Sequence, residues 1–123
     1  MNKKALIFGV SGQDGAYLAK FLLNLGYSVY GTSRKTYAEN LHKLNINNLV
    51  NIFNTNLESY HEVEQLITSI NPNEIYYLAS QSSVALSFKL PSETIKSCIL
   101  GLLNILETCR NNNLNTRIYN AGS

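Results

Sequence analysis

Hydrophobic positions along this chain fall into short continuous runs separated by longer stretches with helical spacing. The run Ala5-Leu6-Ile7-Phe8 predicts a first strand over residues 4–9. From about Asp14 to Leu25 the pattern is helical, with Leu18, Phe21, Leu22 and Leu25 on one face and Gly26 as the stop. Residues 28–33 read as a second strand, and the Asn-rich, polar stretch 35–49 predicts a loop with a short helical turn. Val50 to Asn54 reads as the third strand. Ser59-Tyr60-His61-Glu62 has the form of a capping box ahead of Val63, Leu66, Ile67 and Ile70 at helical spacing, and Asn71-Pro72-Asn73 ends that helix. Glu74 to Leu78 is the fourth predicted strand, followed by a polar loop to Pro91. A long helix from about Ser92 to Asn111 carries Ile95, Cys98, Ile99, Leu102, Leu103, Leu106 and Cys109 as its apolar face. Asn111-Asn112-Asn113 is a turn, and Arg117 to Asn120 begins a fifth strand.

Strands and helices alternating at these lengths require right-handed crossovers, which predicts the α/β class: a doubly wound parallel sheet with helices on both faces. The chain reaches Ser123 just as the fifth strand delivers its carboxyl end to the cleft where such folds bind ligands. Residues 1–123 are therefore expected to form one nucleotide-binding domain, incomplete after its fifth strand. A hydrophobic content of 45% with 15% charged residues fits a globular protein with a substantial interior. The net charge of +2 is too small to point to nucleic acid or an acidic membrane. No apolar stretch approaches the ~20 residues of a membrane helix, and the run after Met1-Asn2-Lys3-Lys4 is too short for a signal-peptide core, so a cytoplasmic location is expected. Cys98 and Cys109 lie eleven residues apart on one predicted helix. That is about 16 Å, beyond the ~7 Å reach of a disulfide, and both read as small core residues with reduced thiols.

Chemistry enters at the joint between the first strand and the first helix. There the heptapeptide Gly9-Val10-Ser11-Gly12-Gln13-Asp14-Gly15 spaces its glycines as G-x-x-G-x-x-G. Gly9 suits a sharp turn off the strand, Gly12 leaves the backbone open to a pyrophosphate, and Gly15 permits close packing of helix on strand. A diphosphate then meets the positive end of the helix. Arg34 and Lys35, just past the second strand, stand where an acidic residue would select a free ribose 2′-hydroxyl. A guanidinium pairs with a 2′-phosphate instead, so NADP is expected in preference to NAD. Asn56 and Leu57, after the third strand, could face an adenine ring, or Asn56 could serve only as a turn residue. Leu78-Ala79-Ser80-Gln81-Ser82, after the fourth, could line the rest of the cofactor or form an ordinary polar loop. His42 and His61 have no companions at metal-ligand spacing.

These segments carry a resemblance. The run Ala5 to Tyr27, with Gln13-Asp14 before its third glycine, resembles the start of the GDP-mannose 4,6-dehydratases, extended short-chain dehydrogenase/reductase enzymes with a Rossmann fold. Leu78 to Thr94 and Arg117 to Ser123 are similar to two further segments of that family. The resemblance implies an enzyme that uses tightly held NADP+ to oxidise C4 of the GDP-mannose hexose. Loss of water across C5 and C6 and return of the same hydride to C6 then give GDP-4-dehydro-6-deoxy-mannose. It implies that Gly9, Val10, Ser11, Gly12, Gln13 and Asp14 hold the diphosphate, Arg34 and Lys35 the 2′-phosphate, and Asn56 and Leu57 the adenosine. It further assigns Leu78 to Ser82 to the rest of the cofactor, Ser87 to substrate, and Ser123 to a catalytic hydroxyl on the sugar O4. The full-length form is expected to be a homo-oligomer with GDP-mannose as substrate and no nucleic-acid, membrane or metal partner.

The chain also departs from the family pattern. Asn56 replaces the usual Asp, Ser83 the usual His, and Glu93 falls near a position commonly Tyr. A catalytic Glu and a Tyr-x-x-x-Lys pair are expected only beyond Ser123, so the 123-residue chain alone is expected to be inactive. Tyr76 and Tyr77 are not that pair, since residues 80 and 81 are Ser and Gln, and both read as strand packing. A relative acting on another sugar nucleotide, or a non-catalytic nucleotide-binding module, stands as the alternative.

Overall fold

The computed structural model describes residues 3–33, 38–78 and 92–120. In it β1 (Lys4–Phe8), β2 (Ser28–Thr32), β3 (Val50–Phe53), β4 (Glu74–Tyr77) and β5 (Arg117–Asn120) form one parallel sheet in the order β3-β2-β1-β4-β5. The connecting helices are α1 (Gln13–Asn24), α2 (Glu39–Lys43), α3 (Tyr60–Ile70) and α4 (Ser92–Asn111).

The central strand explains why the first apolar run is continuous rather than alternating. Ala5 and Ile7 join a core with Val29, Ala16, Ala19, Leu22 and Leu41, on the face covered by α1 and α2. Leu6 and Phe8 join the opposite core with Ile75, Tyr77, Val63, Ile67 and Ile105, under α3 and α4. A strand buried on both faces leaves no position for a polar side chain. Full burial of Leu6, Ile7 and Phe8 stabilises the fold by about 1.5–3 kcal/mol each.

Helix ends follow local chemistry. Ser59 Oγ accepts the Glu62 backbone N–H at 3.3 Å, as a capping box requires, while the Glu62 carboxylate accepts the Asn56 N–H at 3.1 Å. Asn45, Asn71 and Asn113 take left-handed backbone conformations just past α2, α3 and α4, a role Asn tolerates better than most side chains.

Two helix faces differ from the sequence expectation. On α1 the buried residues are Gly15, Ala16, Ala19 and Leu22, whereas Phe21 and Leu25 are both 60% exposed. Close approach of the helix to the sheet selects its small-residue face and turns the bulkier stripe outward. On α4, Ile99, Leu103 and Leu106 are likewise exposed, while Gly101, Asn104, Ile105, Thr108 and Cys109 are buried. Here Gly101 lies so close to the Tyr77 hydroxyl that a Cβ would collide with it, and would crowd Leu57 at 3.2 Å. Asn104 and Thr108 can face inward because their polar groups are satisfied, by the Leu57 carbonyl at 2.8 Å and the Asn104 carbonyl at 2.8 Å. The Ile95 side chain lies outside the described residues. Neither Cys98 nor Cys109 is in a disulfide, and burial pushes the Cys109 thiol up.

Candidate functional site

The strands end together. Phe53, Thr32, Phe8, Tyr77 and Asn120 are register partners in one row across the sheet, so the segments leaving the carboxyl ends emerge along a single edge. The chain reverses direction of winding between β1 and β4, and the turn after β1 sits at that switch.

Gly9 begins that turn with φ of 95°, a conformation that strains any side chain. Its N–H is shared between the Thr32 carbonyl and hydroxyl, both at 3.3 Å, and the Val10 N–H donates to the same carbonyl at 3.0 Å. Val10 is fully buried against Gly31, where any Cβ on β2 would collide with the Val10 side chain. The Gly12 N–H closes the turn on the Gly9 carbonyl at 3.2 Å. Helix α1 then starts from Gly12, with no side chain capping it. A Cβ on Gly15 would fall on the Gly9 carbonyl and Val10 Cα, so only glycine lets helix and turn pack this closely.

Gly12 behaves differently. A Cβ there would make only ordinary contact with the Gly9 carbonyl at 3.5 Å, so packing inside the chain does not demand glycine. Gly12, Gln13 and Asp14 are all exposed, and the first N–H groups of a helix have no intrahelical acceptor. A bare backbone and outward N–H groups at a positive helix end fit an anion such as a diphosphate. Ser11 is half-buried, and its carbonyl accepts the Asn40 side-chain amide at 2.9 Å.

The segment after β3 leaves the same carboxyl end of the sheet, two strands from this turn. The Asn56 side-chain oxygen accepts the Glu58 N–H at 3.1 Å, the bond of a local turn. Leu57 is half-buried on the α4 core and fixed there by Asn104. On the other side Leu78 continues β4, its N–H donating to the Phe8 carbonyl at 2.9 Å, which sets it next to Gly9. Structure thus brings together Gly9 to Gly15, Leu78 and the close of β2 around the end of β1, with Asn56 and Leu57 leaving the edge two strands away. Arg34, Lys35, Ala79, Ser80, Gln81, Ser82, Ser87 and Ser123 lie outside the described residues.

Tyr76 and Tyr77 are packing residues. Tyr77 is 1% exposed, edge-on to Phe8, and its hydroxyl donates to the Cys98 carbonyl at 2.6 Å. Tyr76 stacks on Tyr119, and burial followed by its hydrogen bond to Glu74 holds its phenol above the usual range, the wrong direction for a base. His42 and His61 are exposed, and among the described residues no three His, Cys, Asp or Glu side chains are grouped as a metal site would need. No helix among them is long and apolar enough to cross a membrane.

Sequence pattern did not reveal the residues that hold the site from behind: Thr32, Asn40, Glu62 as partner of Asn56, and Asn104. Glu62 alone carried a signal, through its place in the capping box, though that motif points to the Ser59 N–H rather than to Asn56.

This sheet order, with a glycine turn at the first carboxyl end leading into a helix, defines a Rossmann-type domain. The chain belongs to the GDP-mannose 4,6 dehydratase family, whose model it matches over residues 6–123. It is 38% identical over 131 residues to a GDP-mannose 4,6-dehydratase of Yersinia enterocolitica, covering 98% of this chain and 35% of that protein. It is 36% identical over 134 residues to GDP-mannose 4,6 dehydratase 1 of Arabidopsis thaliana, with coverage of 98% and 37%. The chain spans about a third of the length of these curated relatives. Among solved structures, the Thermus thermophilus UDP-glucose 4-epimerase, complexed with NAD, aligns with TM-score 0.73 and 27% identity over 90% of this chain and 35% of that one. The L-threonine dehydrogenase of Clostridium difficile shares the fold, with TM-score 0.77 and 24% identity over 97% and 36%.

Proposed function

We propose that this chain is the NADP-binding part of an enzyme that converts GDP-mannose to GDP-4-dehydro-6-deoxy-mannose and water. The observation that carries the reading is the turn from Gly9 to Gly15. Its backbone is tied down at Gly9, Val10 and Ser11 and open at Gly12, and it bears the Gln13-Asp14 pair in a chain of the dehydratase family. The nicotinamide, when bound, supplies a hydride acceptor that becomes the donor later in the same turnover.

The roles assigned to the chain's residues follow from their chemistry. Gly9 to Asp14 cradle the diphosphate, Gly9, Val10 and Gly12 by fixing the turn through their own N–H bonds and Gln13 and Asp14 by the N–H groups and positive end that open α1, and Arg34 with Lys35 pairs the 2′-phosphate. Asn56 and Leu57 meet the adenosine, one by its amide and one by its apolar face. Leu78, Ala79, Ser80, Gln81 and Ser82 line the ribose and nicotinamide, and Ser87 contacts substrate. Ser123 donates a hydrogen bond to the sugar O4 as that oxygen loses its proton. A Tyr to take the proton, a Lys to lower the Tyr pKa and a Glu for the C5 proton belong to sequence beyond residue 123. The working protein is proposed to be a cytoplasmic homo-oligomer.

The test is to express the complete reading frame and follow GDP-mannose by mass and absorbance. Formation of the 4-dehydro-6-deoxy sugar without net consumption of NADP+ is expected, and none from the 123-residue chain alone. Turnover of a UDP- or dTDP-sugar in place of GDP-mannose would replace this reading with a broader sugar-nucleotide one. The Thermus neighbour, named as a UDP-glucose 4-epimerase, is the reason to include that arm.

A further inference from the structure

We infer that Asn40 is a positioning residue for the diphosphate turn, an inference that rests on the dinucleotide reading above. Asn40 lies on α2, 29 residues along the chain from Ser11, and its side-chain Nδ2 donates to the Ser11 carbonyl at 2.9 Å. The other end of the same peptide group, the Gly12 N–H, donates to the Gly9 carbonyl at 3.2 Å. A peptide group is planar, so bonds at both its oxygen and its hydrogen fix its rotation. The Gly9 and Val10 N–H groups are already committed to Thr32. Asn40 therefore supplies a further restraint on the turn, and it does so from a different element.

The chemistry explains why that restraint matters. A carbonyl oxygen carries partial negative charge, and Ser11 sits one residue before the bare, exposed Gly12 that opens α1. Held by Asn40, this oxygen is engaged with α2 and has its charge partly answered by an N–H. Released, the peptide can rotate and set its oxygen against an incoming anion, raising the cost of binding without unfolding anything. Asn40 caps no helix, since α2 begins from Ala38 with no side-chain cap bond.

The experiment titrates the full chain with NADP+ and, separately, with 2′-AMP, which carries the adenosine and 2′-phosphate but no 5′-diphosphate. Asn40→Leu removes the donor at similar size. It is expected to weaken NADP+ about tenfold, equivalent to about 1.4 kcal/mol, while 2′-AMP stays within about twofold of wild type, well inside that loss. Asn40→Asp cannot donate while ionised. Its deficit relative to wild type should be larger at pH 8 and narrow towards pH 5, because a carboxylate beside a carbonyl oxygen and an anionic ligand takes up a proton above its ordinary range.

Unchanged NADP+ affinity in Asn40→Leu overturns the role, and so does equal weakening of both ligands, which would mean that Asn40 only anchors α2. Should the Leu variant fail to fold, the Asp variant decides, and a pH-independent deficit overturns the role. A wild-type chain that binds no nicotinamide dinucleotide removes the dinucleotide reading itself. Wild-type binding with an unaffected variant removes Asn40 alone.

Discussion

The side-chain amide of Asn104, in the middle of α4, donates to the Leu57 carbonyl at 2.8 Å and so joins that helix to the segment leaving β3. Asn104 is buried, and α4 comes close enough that a Cβ on Gly101 would lie only 3.2 Å from the Leu57 side chain. Asn104→Ala leaves the half-buried Leu57 carbonyl without this donor and is expected to cost about 0.5–1.5 kcal/mol. Urea unfolding of wild type and variant measures that loss directly. The adenosine contact proposed for Leu57 should loosen with it, visible as weaker AMP binding under conditions where the variant is fully folded. A variant with unchanged stability and unchanged AMP affinity would remove Asn104 from the site.

Two glycines of one turn separate folding from binding. Gly15→Ala drives a methyl group into the Gly9 carbonyl and Val10 Cα, backbone atoms that cannot step aside, and is expected to destabilise the chain by about 1–3 kcal/mol. Gly12→Ala meets the Gly9 carbonyl at an ordinary 3.5 Å and should leave the melting temperature within a few degrees of wild type. Because the proposed diphosphate approaches that same face, Gly12→Ala should nevertheless weaken NADP+ binding at least tenfold. Thermal melts and calorimetric titration of the two variants check both halves. Undiminished NADP+ affinity in a folded Gly12→Ala chain would move the diphosphate elsewhere.

The strands and helix limits were legible because they depend on short-range features: continuous apolar runs, the Ser59 cap and the Asn-rich stops. The glycine turn was legible for the same reason, since its spacing and its neighbours are local. Which face of α1 and α4 turns inward was not. Hydrophobicity alone favours Phe21 over Ala16 and Leu103 over Asn104, yet the close approach permitted by Gly15 and Gly101 reverses both choices. Nor could sequence show that Asn40 reaches Ser11 or that Glu62 serves Asn56, because each of those bonds exists only once separate elements are packed.

At the opposite edge of the sheet from the glycine turn, the buried Glu74 carboxylate accepts hydroxyl hydrogens from Tyr27 at 2.9 Å and Tyr76 at 2.7 Å. Burial and then Glu74 raise the Tyr76 phenol, while the hydrogen bond to Glu74 is the main cause of the rise at Tyr27. A folded-state pKa above the unfolded value of about 10 means that folding favours the protonated phenols. Their contribution is complete below pH of about 10 and is lost as pH rises through the higher folded values. Stability should therefore fall above that pH, and Tyr76→Phe should flatten the fall while costing about 1 kcal/mol near neutrality. Unfolding curves at neutral pH and on either side of the phenol titration check this. Parallel pH profiles for wild type and variant would show that Tyr76 does not contribute to the alkaline limb.

The rotation of α4 can be tested with one charge placed at two positions. Leu103 is 49% exposed and continues an apolar stripe with Ile99 and Leu106, whereas Ile105 is fully buried among Phe8, Val63 and Tyr77. Leu103→Glu should change stability by no more than about 0.5 kcal/mol, since it exchanges one good helix former for another at a surface position. By interrupting an exposed apolar stripe it should also reduce self-association, measured by light scattering against concentration. Ile105→Glu removes a core side chain and buries a carboxylate, and should cost more than about 3 kcal/mol or abolish folding. The helical face read from hydrophobicity alone predicts the reverse order. If Leu103→Glu unfolds the chain and Ile105→Glu is tolerated, α4 is turned the other way, and the Asn104–Leu57 bond that locks its orientation is not made.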